Sequence, residues 1–348
     1  MAQAILSAKD VEIQFSLRGR KLTAIRKCSI DLYEGETLAI VGESGSGKSV
    51  FTKSFIGMLD ANGGITGGSI MYRGEDISKY NTEKEWLNIR GKKIAMVMQD
   101  PMTSLNPLKK IGEQIRESIE LHRDIKAEDA KKETIEVLKK VGIPNPERRY
   151  SQYPHEFSGG MRQRVVIATA IACRPEILIC DEPTTALDVT IQAQILDLMR
   201  ELQGKFNTAI MLITHDLGVV ANMARRVLVF YAGQIIEEGL CDSIFYTPKH
   251  PYTWGLLKSM PRLDAENKEN LVSIEGVPPD LFAPPPGCAF AIRCDYAMNL
   301  CVEKEPPMLD VGEGHCAKCW LNLDDVPGQV RPKWMKSERV DVNTMDKE

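Results

Sequence analysis

The run Leu38-Ala39-Ile40-Val41-Gly42-Glu43-Ser44-Gly45-Ser46-Gly47-Lys48-Ser49 sets an apolar strand directly before a glycine-rich octet. That octet fits G-x-x-x-x-G-K-S without a mismatch and opens a helix, the flanks that separate a working phosphate loop from a chance match. Glycines let successive backbone N–H groups converge on phosphate oxygens, and the helix N-terminus adds a favourable dipole. Lys48 is placed to neutralise β/γ-phosphate charge and the Ser49 hydroxyl to ligate Mg²⁺. Gly42, Ser44, Gly45, Ser46, Gly47 and Val50 complete the expected nucleotide contacts. The bland alternative, a turn that binds nothing, loses because motif and flanking elements agree.

Outward from this loop, other apolar runs each end on a polar residue. Ile94 to Met98 ends at Gln99, Ile177 to Cys180 at Asp181, and Ala209 to Thr214 at His215. Runs of this kind suit a parallel sheet covered on both faces, whose ligand site lies at the carboxyl ends of the strands. The expected fold class is therefore α/β. Asp181 is placed to hold Mg²⁺, and Glu182 to orient and polarise an attacking water. An acidic pair at a strand end is ordinarily a solvated turn; the phosphate loop promotes this one. A guanine nucleotide is disfavoured, since no N-K-x-D motif occurs and Asn267-Lys268-Glu269-Asn270 ends in the wrong residue. Between about 101 and 163 the strands vanish and Ile111–Leu121 and Ala127–Val141 read as helices, so a helical insertion is expected. Val227–Phe230 and Gln234–Glu237, joined across Ala232-Gly233, read as a hairpin.

Composition bounds the rest. The chain has 348 residues, 43% apolar and 26% charged, enough to build a real core. With 48 acidic against 44 basic residues the net charge is −4, unlike the basic excess of a dedicated nucleic-acid binder. The longest largely apolar stretch, Val165 to Cys173, stops at Arg174, short of the roughly 20 residues of a membrane span. Met1-Ala2-Gln3-Ala4 lacks the basic lead of a secretory signal.

Five motifs in order identify a family. Phe157-Ser158-Gly159-Gly160-Met161-Arg162-Gln163-Arg164 resembles the signature of ABC ATPases. Thr185-Ala186-Leu187-Asp188 resembles the D-loop, Gln99 the Q-loop glutamine and His215 the switch histidine. The resemblance runs from about residue 5 to 245. It implies a P-loop NTPase (RecA-like) parallel core, with an N-terminal antiparallel β subdomain and the helical insertion. It further implies a head-to-tail dimer, in which ATP lies between one phosphate loop and the partner's Ser158, Gly159 and Gly160. In that arrangement Gln99 reaches metal or water, His215 meets the γ-phosphate, Asp188 lies at the seam, and Phe15 is the candidate for stacking on adenine, with a core role as its alternative. Met161, where the broad family has Gln, resembles the oligopeptide/dipeptide/nickel importer branch. Gln99-Asp100-Pro101-Met102-Thr103-Ser104-Leu105-Asn106-Pro107 and His250-Pro251-Tyr252-Thr253 resemble it too.

After about Met260 the composition shifts, with Pro278-Pro279 and Pro284-Pro285-Pro286-Gly287 marking a rigid connector. The expected division is a nucleotide-binding domain over 1–260 and a C-terminal extension over 261–348. Of nine cysteines, Cys288, Cys294, Cys301, Cys316 and Cys319 crowd into the extension, which suggests metal or iron–sulfur ligation more than disulfides. Four thiolates in a proline-braced loop suit a [4Fe–4S] cluster or zinc; reduced structural thiols are the third possibility. Resemblance to the branch's extension favours [4Fe–4S] on Cys288, Cys294, Cys301 and Cys319, with Cys316 extra.

The function implied is the ATP-hydrolysing subunit of a peptide importer at the cytoplasmic face of the membrane. Its partners would be a second, homologous ATPase chain in a heterodimer, two transmembrane permease subunits, and an extracytoplasmic peptide-binding protein. A nickel or glutathione importer of the same branch is an alternative within the class. A soluble ABC ATPase acting on DNA or ribosomes belongs to another class and lacks its usual tandem domains, coiled coils or basic arms here.

Overall fold

A computed structural model describes residues 3–98, 104–184, 189–259 and 274–323. Gln99, the D-loop residues 185–188 and the boundary at 260 lie outside the described residues.

Two sheets organise the chain. The first is antiparallel, in the order β2 (Arg20–Tyr33), β1 (Ala4–Leu17), β4 (Gly63–Tyr72), β5 (Glu75–Asp76). Alternation along β1 puts Leu6, Ala8, Val11, Ile13 and Phe15 on the buried face. The second sheet runs β11 (Leu309–Asp310), β12 (Cys316–Ala317), β10 (Gln234–Leu240), β9 (Arg226–Tyr231), β3 (Thr37–Val41), β8 (Ala209–Ile213), β7 (Ile177–Asp181), β6 (Ile94–Val97). From β9 to β6 every neighbouring pair is parallel, and β3, β7 and β8 are buried at every position. Such strands read as unbroken apolar runs because both faces are covered. The expected hairpin forms between β9 and β10, with Ala232 (φ 47°) and Gly233 (φ 75°) in the left-handed region a tight two-residue turn requires.

The helical insertion packs on one face. Helices span Ile111–His122 and Ala127–Lys140, within a residue or two of the periodicity-based expectation. Ile111, Ile115 and Ile119 recur every four residues on the buried stripe of the first. The second starts with Glu128 and Asp129 and ends with Lys139 and Lys140, both complementary to the helix dipole. Both helices share a hydrophobic cluster with the Gly159–Ile171 helix and the faces of β6, β7 and β8. A separate cluster joins the antiparallel sheet to the helix Lys48–Ser54.

The cysteine-bearing extension continues the main sheet. Its β12 pairs antiparallel with β10, matching Glu237 to Ala317 and Glu238 to Cys316. Phe290 and Ala289 enter one cluster with Tyr231, Tyr252 and Val229. Among the described residues no helix is long and apolar enough to cross a membrane.

Candidate nucleotide site

The loop after β3 follows from its glycines. Gly42 has φ 148°, and a Cβ there would lie 2.1 Å from the Phe230 carbonyl oxygen. Gly47 has φ 105°, and a Cβ would come within 3.0 Å of the Ala24 carbonyl oxygen. Neither position admits a side chain without a clash, so this turn is reserved for glycine at both. Ser46 stitches the loop to the hairpin: its carbonyl accepts from the Gly233 N–H at 2.8 Å.

Lys48 is buried, and its Nζ donates to the carbonyls of Gly42 and Glu43 at 2.8 Å each. Burial lowers its pKa, opposed by the carboxylates of Glu182, Asp181 and Glu43. Asp181, at the end of β7, is raised by burial, while a hydrogen bond from the Ser49 side chain acts the other way. Ser49 and Asp181 thus meet side chain to side chain, a hard-oxygen pair of the type that suits Mg²⁺. Val50 is partly buried and packs against the core.

Glu182 adopts φ 48°, a left-handed conformation unusual outside glycine. Its N–H donates to the Ile213 carbonyl at 2.9 Å, and its Oε1 lies 3.3 Å from Nδ1 of His215. The His215 side chain is largely exposed, while that of Glu182 is 18% exposed. Gly42, Ser44, Gly45, Ser46, Gly47, Lys48, Ser49, Asp181, Glu182 and His215 therefore stand on the carboxyl ends of three adjacent strands, β3, β7 and β8. The signature is elsewhere. Ser158 caps the Gly159–Ile171 helix by accepting from the Met161 N–H, with Ser158 and Gly159 exposed. Gln163 of that helix donates to the Pro183 carbonyl at 2.6 Å, tying it to the turn after Glu182.

Phe15, read as a candidate for adenine stacking or for the core, lies in β1 of the antiparallel sheet. It is only 8% exposed, sits opposite Leu22 and Gly63, and its ring fills the space a Cβ on Gly63 would need. Core packing, the alternative read for it, is what its surroundings support.

Sequence reasoning missed the partners of Glu43. The Glu43 N–H donates to the hydroxyl of fully buried Tyr252 at 2.8 Å, and its carboxylate receives both terminal nitrogens of Arg293, at 2.7 and 2.9 Å. The signal was present in His250-Pro251-Tyr252-Thr253, noted only for its resemblance. His250 caps the Pro251–Lys258 helix, and Thr253 hydrogen-bonds the buried Glu237.

Cys288, Cys294, Cys301 and Cys319 line one small cavity, with His250, Pro306 and Trp320. Cys316 is not among its lining residues; it lies in β12 opposite Asp310 and Glu238. Burial pushes the Cys288 thiol up, that of Cys294 to about 11 and that of Cys319 to about 12. Among the described residues, no group of three or more His, Cys, Asp or Glu side chains is arranged to hold a metal ion, so the expectation of a metal-binding group finds no support there.

A phosphate loop facing a strand-end Asp-Glu pair and a histidine defines a P-loop NTPase. Comparison narrows this class. The family model described as "ABC transporter" matches residues 25–185, and that of the "Oligopeptide/dipeptide transporter, C-terminal region" matches 236–301. The chain is 55% identical over 328 residues to the oligopeptide transport ATP-binding protein AmiE of Streptococcus pneumoniae, covering 94% of this chain and 92% of that protein. It is 54% identical over 345 residues to the oligopeptide transport ATP-binding protein OppD of Bacillus subtilis, covering 99% and 96%. Among solved structures, the dimeric post-hydrolysis ATP-binding cassette MJ0796 bound to ADP and Pi aligns with TM-score 0.61 at 28% identity, over 68% of this chain and 98% of that one. The chain belongs to the ABC transporter ATPases, in the branch that carries the oligopeptide/dipeptide C-terminal region.

Proposed function

We propose that this chain is the ATP-hydrolysing subunit of an oligopeptide or dipeptide importer, peripheral to the cytoplasmic face of the membrane. The observation that carries it is the meeting of Lys48, Ser49, Asp181, Glu182 and His215 at neighbouring strand ends. Lys48 turns from the loop carbonyls to the β/γ-phosphates when nucleotide enters. Bound Mg²⁺ supplies charge neutralisation at the phosphate oxygens, with Ser49 and Asp181 placed to hold it. Glu182 takes up the proton of the attacking water, and His215 steadies Glu182 and the γ-phosphate. Gln99 and Asp188 are assigned to the metal–water side and to the dimer seam. A partner's Ser158, Gly159 and Gly160 complete the site by donating to the γ-phosphate.

Relatives named as oligopeptide and dipeptide transport ATP-binding proteins support the cargo class. A groove of about 600 Å³ between the main sheet and the helical insertion, lined by Met96, Met98, Leu105 and Leu121, suits a short helix from a permease subunit. Two permeases, a second homologous ATPase chain and an extracytoplasmic peptide-binding protein complete the assembly. We treat 1–260 as the nucleotide-binding unit and 261–348 as its extension.

The donor set of Cys288, Cys294, Cys301 and Cys319 fits a [4Fe–4S] cluster better than zinc. The four cysteines line one cavity, and a cluster spreads its four thiolates more widely than a single zinc ion at about 2.3 Å from each sulfur. A bound cluster would supply cross-linking of a segment with little core of its own. The test is the complex co-expressed with its permeases and purified anaerobically. Peptide-stimulated ATP turnover, with iron and acid-labile sulfide on this chain, is expected. Turnover unresponsive to peptide overturns the importer reading, and zinc without iron overturns the cluster.

A further inference from the structure

We propose that Arg293, from the cysteine-bearing extension, is a positioning residue of the phosphate loop: it neutralises and fixes the Glu43 carboxylate so that the loop can accept a polyphosphate. This rests on the nucleotide site described above and adds to it a part that lies about 250 residues away in sequence.

Glu43 is the second residue of the loop, and its carbonyl is one of the two that hold Lys48. A carboxylate there stands beside the path of an anionic ligand. Left unanswered, it would repel phosphate and compete with it for the Lys48 ammonium. Arg293 answers it with a fork: Nη1 to Glu43 Oε2 at 2.7 Å and Nη2 to Oε1 at 2.9 Å. Paired planar geometry of this kind gives direction as well as charge.

The fork is itself held rigid. The Arg293 side chain is 4% exposed against 26% for Glu43, so the pair is largely desolvated. Its Nε donates to the Glu275 carbonyl at 2.9 Å, Nη2 to the Ile274 carbonyl at 3.0 Å, and Nη1 to the Tyr231 hydroxyl at 3.3 Å. The guanidinium also lies 5.9 Å from the centre of the Phe290 ring. From the other side, Tyr252 accepts the Glu43 N–H at 2.8 Å. Backbone and side chain of one loop residue are thus gripped from two segments that follow the nucleotide-binding strands. A surface salt bridge would contribute little; this one is anchored at each donor.

Arg293 also ends the turn between two of the thiols. The Ala291 N–H donates to the Cys288 carbonyl at 3.0 Å, and the Cys294 N–H to the Ala291 carbonyl at 3.3 Å. Whatever orders that turn orders the guanidinium, which gives the extension a direct route to the nucleotide site.

The experiment titrates MgATP into the full chain, with wild-type binding as the control for the nucleotide reading itself. No wild-type binding sinks that reading; binding in the wild type isolates the inference. R293M leaves Glu43 without its counter-charge and is expected to weaken MgATP at least tenfold. E43Q/R293M removes the stranded charge and is expected to bind at least threefold tighter than R293M, a rescue that loss of a merely structural contact would not show. R293M within threefold of wild type, or a double variant no tighter than R293M, overturns the proposal. Should R293M fail to fold, the double variant carries the test: folded and binding supports it, unfolded overturns it.

Discussion

At the scale of single residues, the chemistry was legible where it is local. Lys48, Ser49, Asp181 and Glu182 belong to contiguous motifs, and each side chain points where the strand end puts it. The backbone of Glu182 was not legible. Its φ of 48° costs on the order of 1–3 kcal/mol for a residue with a Cβ, a cost that functional sites tolerate when the surroundings over-determine it. The Ile213 carbonyl accepts its N–H and His215 Nδ1 lies beside its carboxylate, so both its backbone and its side chain are held. Glu182→Gln keeps size and backbone but cannot accept a proton. Hydrolysis in the assembled complex, with the partner's own site disabled, should fall about 10²–10⁴-fold while MgATP affinity stays within a few-fold. Turnover near wild type would assign the proton to another group. Phe15 shows the opposite case: an aromatic near the start of an ATP-binding chain suggested adenine, and only three-dimensional packing against Gly63 shows where its ring goes.

At the scale of elements, helices with a 3.6-residue stripe and strands buried on both faces announced themselves. The pairing of β12 with the edge of β10, and of β11 with β12, did not, because two-residue strands carry no periodicity and Glu237 and Ala317 lie 80 residues apart. The strands of the C-terminal extension lie at the edge of the main sheet. The join is polar and buried: Glu237, fully buried, accepts from the N–H of His250 at 3.1 Å and faces His315 Nε2 at 2.8 Å. His250 beside it caps the Pro251–Lys258 helix through Nδ1, which accepts the Tyr252 N–H at 3.0 Å. Burial depresses its pKa from 6.5 to about 3, so the ring stays neutral in the fold and can act as acceptor. The sign follows directly. Below pH 6.5 the unfolded chain takes up a proton that the fold refuses, so stability falls as pH drops from 6.5 toward 3, by about 2 kcal/mol at pH 5. Denaturant melts of His250→Asn, which keeps a capping acceptor and loses the titration, should show a smaller stability loss between pH 7.5 and 5 than wild type. An equal loss in both would remove His250 from the acid response.

For the whole molecule, the division of labour between hydrophobic clusters bears on stoichiometry. The helix that carries Ser158 at its start is rooted in the cluster under the helical insertion, while the Lys48–Ser54 helix is rooted in the cluster under the antiparallel sheet. The Ser158 hydroxyl oxygen accepts from its own helix, a bond that does not use its O–H, and exposed Gly159 has open space where a Cβ would sit. A tip so exposed, on a helix tied through Gln163 to the turn after Glu182, suits the proposed meeting with a second ATPase chain. Two-body completion has a kinetic signature that single-chain catalysis lacks. Specific ATPase activity of the isolated chain should rise with its concentration, because the active species is a dimer, and should climb further on titration with a homologous partner chain. In the presence of MgATP, a chain carrying Glu182→Gln should show the same dimerisation by sedimentation, with the nucleotide trapped at the seam. Activity per mole that stays constant down to concentrations where sedimentation shows only monomer would mean that the 42–49 loop and the residues beside it complete the γ-phosphate site without a partner's Ser158.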